Sequence, residues 1–371
     1  MKKLITILLS LLFFSSSLLA TAKTLPKGVF KLDTYYNYYD IETVGANPSG
    51  DKVTWETITL TEGKMKDIYL FTYLDAAYNA AGSDINTEAL LVNSWEKIKY
   101  HADIAYGITD KLTIFANISH EQSLLDYTDE YVEQSEIVEN VLDSVSYKQA
   151  PDKAESDHIN DIFVGLKYRF GPFAAAFKMS SGLLLTGIDS EEKAYADGIQ
   201  ELETSRGYSQ HHYYLFYDNS FLIPFEFTAG YIYYGKMTQT FLDNLNVDFH
   251  AGPLTLAKLN IPLKLLDNVT LNSSLTALSH ATDRYKGGNS EFGSANTDTT
   301  AGYDDWTDAP NSDGTVILTK IELIYQPAIF LRAFVNTTIT LENDKAGPLY
   351  NFPGRLEPGN MVAFGVTLFA K

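Results

Sequence analysis

The chain has 371 residues, with 28 Lys and Arg against 47 Asp and Glu, a formal charge of −19 and no cysteine. So acidic a chain is a poor partner for nucleic acid, and one of this size without disulfides must draw its stability from elsewhere. Aromatic residues reach 13%, with 25 Tyr and 21 Phe against 3 Trp, and together with Thr and β-branched residues they make a composition suited to strands.

The first residues specify a compartment. Lys2 and Lys3 precede a short apolar run, Leu4 to Phe14, and Ala20-Thr21-Ala22 follows as a small-x-small processing signal. The pattern predicts a secretory signal peptide over 1–22, cut near Ala22, because the apolar core is too short for a membrane span. Removing Lys2 and Lys3 leaves 26 basic residues against 47 acidic ones and takes the charge to −21. No later segment approaches the roughly 20 apolar residues of a transmembrane helix.

After the signal the chain alternates with period two, which places one row of side chains on each face of a strand. Phe30, Leu32, Thr34, Tyr36 and Tyr38 oppose Lys31, Asp33, Tyr35 and Asn37. The clearest stretch is 98–119. Ile98, Tyr100, Ala102, Ile104 and Tyr106 form an apolar row, a turn follows at 107–110, and Leu112, Ile114, Ala116 and Ile118 resume it. Similar pairs turn at 171–172, 222–224, 267–268 and 326–327, and Val362, Phe364, Val366 and Leu368 close the chain.

Short turns alternate strictly with long connections at 41–91, 126–157, 187–206, 239–251, 284–314 and 343–358. No segment supplies a second layer to cover the apolar rows. Lipid then has to be their solvent, and closure is the way a sheet satisfies its backbone inside a bilayer. The expected fold is all-β: a transmembrane, antiparallel, up-and-down β-barrel of bacterial outer-membrane type with about twelve strands. It forms one domain over 23–371, with long extracellular loops at 41–91, 126–157, 187–206 and 284–314. A soluble two-sheet sandwich is the competing reading, but it leaves the alternation of turn lengths unexplained. Residues 52–61 and 67–79 also alternate around Glu62-Gly63 and could add a hairpin, giving about fourteen strands. Residues 66–80 could instead form an amphipathic loop helix.

Facing inward, the polar rows would bring together Lys31, Asp33, Lys99, Asp103, Lys167, Arg169, Lys178, Asp218, Glu226, Lys264, Lys320, Glu322 and Arg332. Paired across strands, these charges brace the barrel; left partly unpaired, they line a wet path and bias what passes. Both roles remain open. Tyr35, Phe115, Phe163, Tyr214, Phe216, Tyr234, Phe330 and Phe334 would add aromatic wall suited to an apolar or aromatic solute with a polar end.

Other constellations are weaker. Ser119-His120 and Ser279-His280 could suggest a lipid hydrolase, but neighbours on a strand point to opposite faces. Histidines at the rim, near the headgroups, are the expected reading. His211-His212 with Asp218 lacks a third ligand at a metal-site spacing, and the acidic stretch 304–314 fits a calcium loop only loosely. No catalytic residue, metal ligand or cofactor is assigned.

YGITDKLTIFANI at 106–118 and DIFVGLKYRF at 161–170 carry a family likeness. Tyr106, Gly107, Ile108, Thr109 and Asp110 match a turn motif, Asp161, Gly165, Lys167 and Tyr168 match a strand motif, and Gly182 and Gly187 follow in a glycine-bearing segment. Over residues 92–235 the chain resembles the outer-membrane transporter family named for the meta pathway of phenol degradation. It departs from the usual outer-membrane ending, since Phe369 is followed by Ala370 and Lys371. The resemblance implies a channel rather than an enzyme, taking small hydrophobic or aromatic solutes; the alternative is a structural or surface-interaction barrel without transport, whose long loops bind a partner. Its expected partners are outer-membrane lipid, lipopolysaccharide and the outer-membrane assembly machinery.

Overall fold

The computed structural model describes residues 22–40, 43–46, 52–54, 84–134, 137–138, 141–142, 145–148, 153–184, 200–201, 209–219, 224–241, 245–287, 306–308, 313–344 and 360–371. Twelve strands among them close a barrel: β1 Phe30–Asp40, β2 Asp84–Thr109, β3 Leu112–Gln134, β4 in two pieces (Lys153–Ile159 and Phe163–Phe170), β5 Phe173–Ser180 and β6 Gln210–Asn219. The circuit continues through β7 Phe225–Tyr234, β8 Leu254–Leu266, β9 Val269–His280, β10 Gly314–Ala328, β11 Leu331–Asp344 and β12 Asn360–Ala370. Each strand pairs antiparallel with its neighbours. The last meets the first in a ladder from Phe30↔Ala370 to Asp40↔Asn360, so no barrel edge stays open.

The alternation governs which face each side chain takes. On β4, Leu166 and Tyr168 are 46% and 48% exposed on the outside, while Lys167 between them is 0% exposed on the inside. Tyr100, Ile114, Leu215, Tyr231, Leu275, Leu323, Val335 and Phe364 likewise face outward. Lys31, Asp33, Glu226, Asn260, Asn272, Asn336 and Thr367 are buried inward. The pattern of a water-soluble fold is inverted: large apolar side chains face outward, and the charged and polar ones are buried inside among small and aromatic residues. Only hydrocarbon makes that arrangement favourable.

Boundaries differ from the alternation in several places. β2 and β3 run 26 and 23 residues, well into the 41–91 and 126–157 stretches read as loops. At about 3.3 Å per residue they reach far past the long-loop rim, where a ladder can continue without an apolar face. The turn expected at 326–327 lies at Ile329–Phe330 instead. Pro327 is absorbed within β10 at a register shift between Tyr325 and Ala328, near the strand end where a missing N–H costs least. Phe330 is therefore a 60% exposed turn residue rather than a lumenal one. Of the possible extra hairpin, only Lys52–Thr54 lies within the described residues, and it pairs with Thr43–Ala46 outside the barrel. The processing signal, apart from Ala22, lies outside the described residues, as do Gly187 and most of the 304–314 stretch.

β4 is broken at Asn160–Ile162. Both pieces pair with β3, but only the Phe163–Phe170 piece pairs with β5. β5 leaves the sheet after Ser180 in a short 3-10 turn, Gly182–Leu184, whose Leu184 carbonyl accepts from the Ile162 amide at 2.8 Å.

Candidate functional site: the lumen and its N-terminal segment

Residues 22–29 precede β1 and fold back into the barrel at the short-turn end. Ala22 packs among Ala174, Ala176 and Phe216, and its amide donates to Asp218 Oδ1 at 2.6 Å. Leu25 packs with Ala105, Phe115, Val29 and Phe369, and its amide donates to Thr113 Oγ1 at 2.8 Å. Lys23 sits between the wall carboxylates; burial pushes its ammonium down to about 8, against the opposing pull of Glu226 and Asp218.

The turn motif of the sequence is the cradle for this segment. Gly28 N donates to Gly107 O at 2.8 Å, and Gly107 N donates to Val29 O at 2.9 Å. A Cβ on Gly107 would lie 2.1 Å from Pro26 O, a backbone atom that cannot yield. Asp110 Oδ1 accepts from the Lys27 amide at 2.9 Å, and the Asp110 carbonyl accepts from the Thr24 hydroxyl at 2.8 Å. Thr109 Oγ1 accepts from Leu112 N at 3.0 Å and so holds the turn itself. Tyr-Gly-x-Thr-Asp therefore encodes a docking site as well as a hairpin.

Above the segment lies a cavity of about 240 Å³, lined by Lys31, Asp33, Tyr35, His101, Asp103, Phe115, Asn117, Ser119, Asp161, Phe163 and Lys178 among others. Tyr35 and His101 stack at 4.3 Å with planes 7° apart, and Phe334 lies 6.1 Å from Tyr35. Gly365 makes this packing possible: a Cβ there would fall 2.8 Å from the Phe334 ring and 2.4 Å from Tyr35 Cβ. Asp103 accepts from Asn117 Nδ2 at 2.8 Å and from the Tyr35 hydroxyl at 3.3 Å. Lys178 Nζ lies 4.5 Å from the Phe163 ring centre and donates to Asn117 Oδ1 at 3.3 Å. The wall thus offers flat aromatic surface beside charged groups of both signs.

The remaining lumenal candidates fall into three groups, with Arg332 apart. Lys31–Asp33 at 2.5 Å and Lys320–Glu322 at 2.7 Å pair along one strand, since i and i+2 share a face, whereas Lys99–Glu121 at 3.1 Å pairs across two. Lys167 lies 4.1 Å over Phe216, Glu226 accepts from Asn260 at 2.8 Å, and Asp218 holds the N-terminal segment. Arg169 and Lys264 sit exposed at the short-turn rim. Arg169 donates to the Gly171 carbonyl at 3.1 Å, and Lys264 pairs with Asp267 at 2.9 Å. Arg332 is buried over Phe369, 5.4 Å from its ring centre.

The expected rim position fails for His280, which is buried and turned inward, 3.2 Å from Asp283. Its place at the end of β9, on the inner row, puts it under the Gly252–Asp283 contact rather than at the headgroups. His211 and His212 diverge as neighbours on a strand must. His212 meets the Tyr214 hydroxyl at 2.9 Å and Gln210 Oε1 at 3.2 Å. Among the described residues no group of three or more His, Asp or Glu side chains is placed to hold a metal. Ser119 stands opposite His101 in the β2–β3 register, a pairing that spacing along the chain alone does not reveal. His101 is taken up by Tyr35 and by Asn37 Nδ2, 3.1 Å from its Nε2.

No family model and no curated protein matches the chain. Among solved structures it is similar to the COG4313 outer membrane channel from Pseudomonas putida F1. That match has a TM-score of 0.56 and covers 94% of this chain and 98% of that one at 9% identity. Fainter likenesses are the translocator domain of autotransporter NalP from Neisseria meningitidis (TM-score 0.38, 7% identity, 100% and 94% covered) and a Pseudomonas aeruginosa FadL homologue (0.36, 10%, 92% and 89%). The class of protein is a closed, twelve-stranded antiparallel β-barrel of outer-membrane type.

Proposed function

We propose that this chain is an outer-membrane transporter that admits small hydrophobic or aromatic solutes, akin to the meta-pathway group its turn and strand motifs resemble. In this reading it is exported by a signal peptide cut near Ala22 and inserted by the assembly machinery. It then sits in lipid and lipopolysaccharide, with the short turns in the periplasm. The observation that carries it is the cavity walled by the Tyr35–His101 stack, Phe115 and Phe163, with Leu25 of the N-terminal segment packed against Phe115 and Ala105 of its wall. That is a compartment for an aromatic body with a polar end rather than an open aqueous bore. Channels for ions and sugars need a continuous wet path; a solute-specific conduit works by binding and release.

The test is transport by the purified, folded protein. Planar bilayers and solute-loaded vesicles, with residues 23–29 present and deleted, are expected to show uptake of small aromatic solutes that increases on deletion. A folded barrel that passes nothing in either form overturns the reading. Catalysis is not part of it. Covalent labelling of Ser119 by a fluorophosphonate, lost in His101→Ala, would instead make the lumen a hydrolase site.

A further inference from the structure

Arg332 lies on the inner row of β11, opposite Thr367 of β12, which stands opposite Asp33 of β1. It is 3% exposed, and its Nε and Nη2 meet neither a hydrogen-bond acceptor nor solvent. Those two nitrogens bound one edge of the guanidinium, the edge along which two parallel N–H bonds grip both oxygens of a carboxylate. A buried charged donor left without an acceptor is the expensive arrangement that folded proteins avoid unless it has a use.

Two carboxylates lie within electrostatic reach, Asp33 and Glu322, and both are already engaged. Asp33 holds Lys31 at 2.5 Å and accepts the Thr367 hydroxyl at 2.5 Å. Glu322 holds Lys320 at 2.7 Å and accepts Asn272 at 3.0 Å and Asn336 at 3.4 Å. Each acid is thus engaged by a lysine of its own strand, and Arg332 is a further positive charge with which neither acid is paired. Phe334, two residues along the same inner row, leads from Arg332 to Tyr35 and the Tyr35–His101 stack.

We propose that Arg332 is the head-group anchor of the lumen, its Nε/Nη2 edge taking the carboxylate of an amphipathic acid whose apolar body lies along Phe334 and Tyr35. The inference rests on the solute-binding reading above and names the class of solute. The edge is closed in this conformation, so binding needs the surroundings to yield. Phe369, the ring beneath the guanidinium, packs against the Leu25 cluster, so release of residues 22–29 frees one side of the site.

The test compares 3-phenylpropionate with 3-phenylpropanol, equal in ring and chain and different in head. Binding to the full chain in lipid nanodiscs is measured by calorimetry near neutral pH. The wild type is expected to bind the acid about tenfold or more tightly than the alcohol. Arg332→Gln should remove that preference and leave the alcohol unchanged, while Arg332→Lys, which keeps the charge and loses the two-pronged edge, should keep only part of it. Equal affinity for acid and alcohol in the wild type overturns the anchor alone, as does an undiminished preference in Arg332→Gln. If Arg332→Gln does not fold, Arg332→Lys decides: acid binding as tight as wild type overturns the two-pronged contact. Saturable binding of neither probe to the wild type overturns both this proposal and the solute-binding reading beneath it.

Discussion

The two faces of the same strands obey opposite rules. On the outside, Val164, Leu166 and Tyr168 of β4 are 40–48% exposed and turn that surface to lipid, so apolar character matters there more than any particular partner. On the inside, Lys178 donates to Asn117 and Asn117 to Asp103, Lys167 lies over Phe216, and a change at one leaves a partner behind. The outer face depends on hydropathy and the inner face on pairing. The first can be read one residue at a time; the second cannot.

Substitutions can break that contrast, and Leu166→Arg should do so most strongly. A cation in the middle of the lipid belt is expected to cost ~2–4 kcal/mol, read as a lowered urea midpoint in vesicles. Lys167→Met, one residue away on the other face, should cost less, because it removes a buried charge instead of creating one. An equal loss at both positions would show that the faces are not differently governed.

Next in size is Gly107→Val. Its side chain collides with the Pro26 carbonyl, so residues 22–29 should leave the lumen while the barrel still forms. Solute flux should then match that of the variant lacking residues 23–29, and unchanged flux would detach the turn motif from any gating role. Lys178→Met, within the cavity, should shift ion preference toward cations by a few-fold, measured as a reversal potential, with little effect on folding.

The smallest effect concerns pH. Seated Lys23 gives up its proton near 8, whereas in a released segment it keeps it to the ordinary 10.5. The seated state therefore binds fewer protons between those values, and seating strengthens as pH rises through that window. Flux should fall between about pH 8 and 10.5 in the wild type, and Lys23→Met should remove this dependence. Flux that stays level up to pH 10.5 and rises above it would mean that the carboxylates, not burial, dominate at Lys23.

Hydropathy with period two was enough to tell the barrel and its inside from its outside, because lipid rewards each outward residue with little regard to its neighbours; the strand number it left at about twelve, with fourteen open. Alternating turn lengths supplied the topology for the same reason: an up-and-down circuit needs no long-range information. The length of the β2–β3 hairpin was not legible, since beyond the bilayer a ladder can continue with no apolar row to mark it. Nor was the turn at Ile329–Phe330, where Pro327 looked like a stop and is a bulge within the strand.

What the residues sharing the lumen do to one another belonged to the tertiary structure alone. Closure brings Asp33 beside Thr367, 334 positions away, sets Ala22 against Asp218, and leaves Nε and Nη2 of Arg332 without an acceptor. Alternation says that a side chain points inward, but barrel register decides which inward side chains meet, and register is a property of the closed sheet rather than of any one strand.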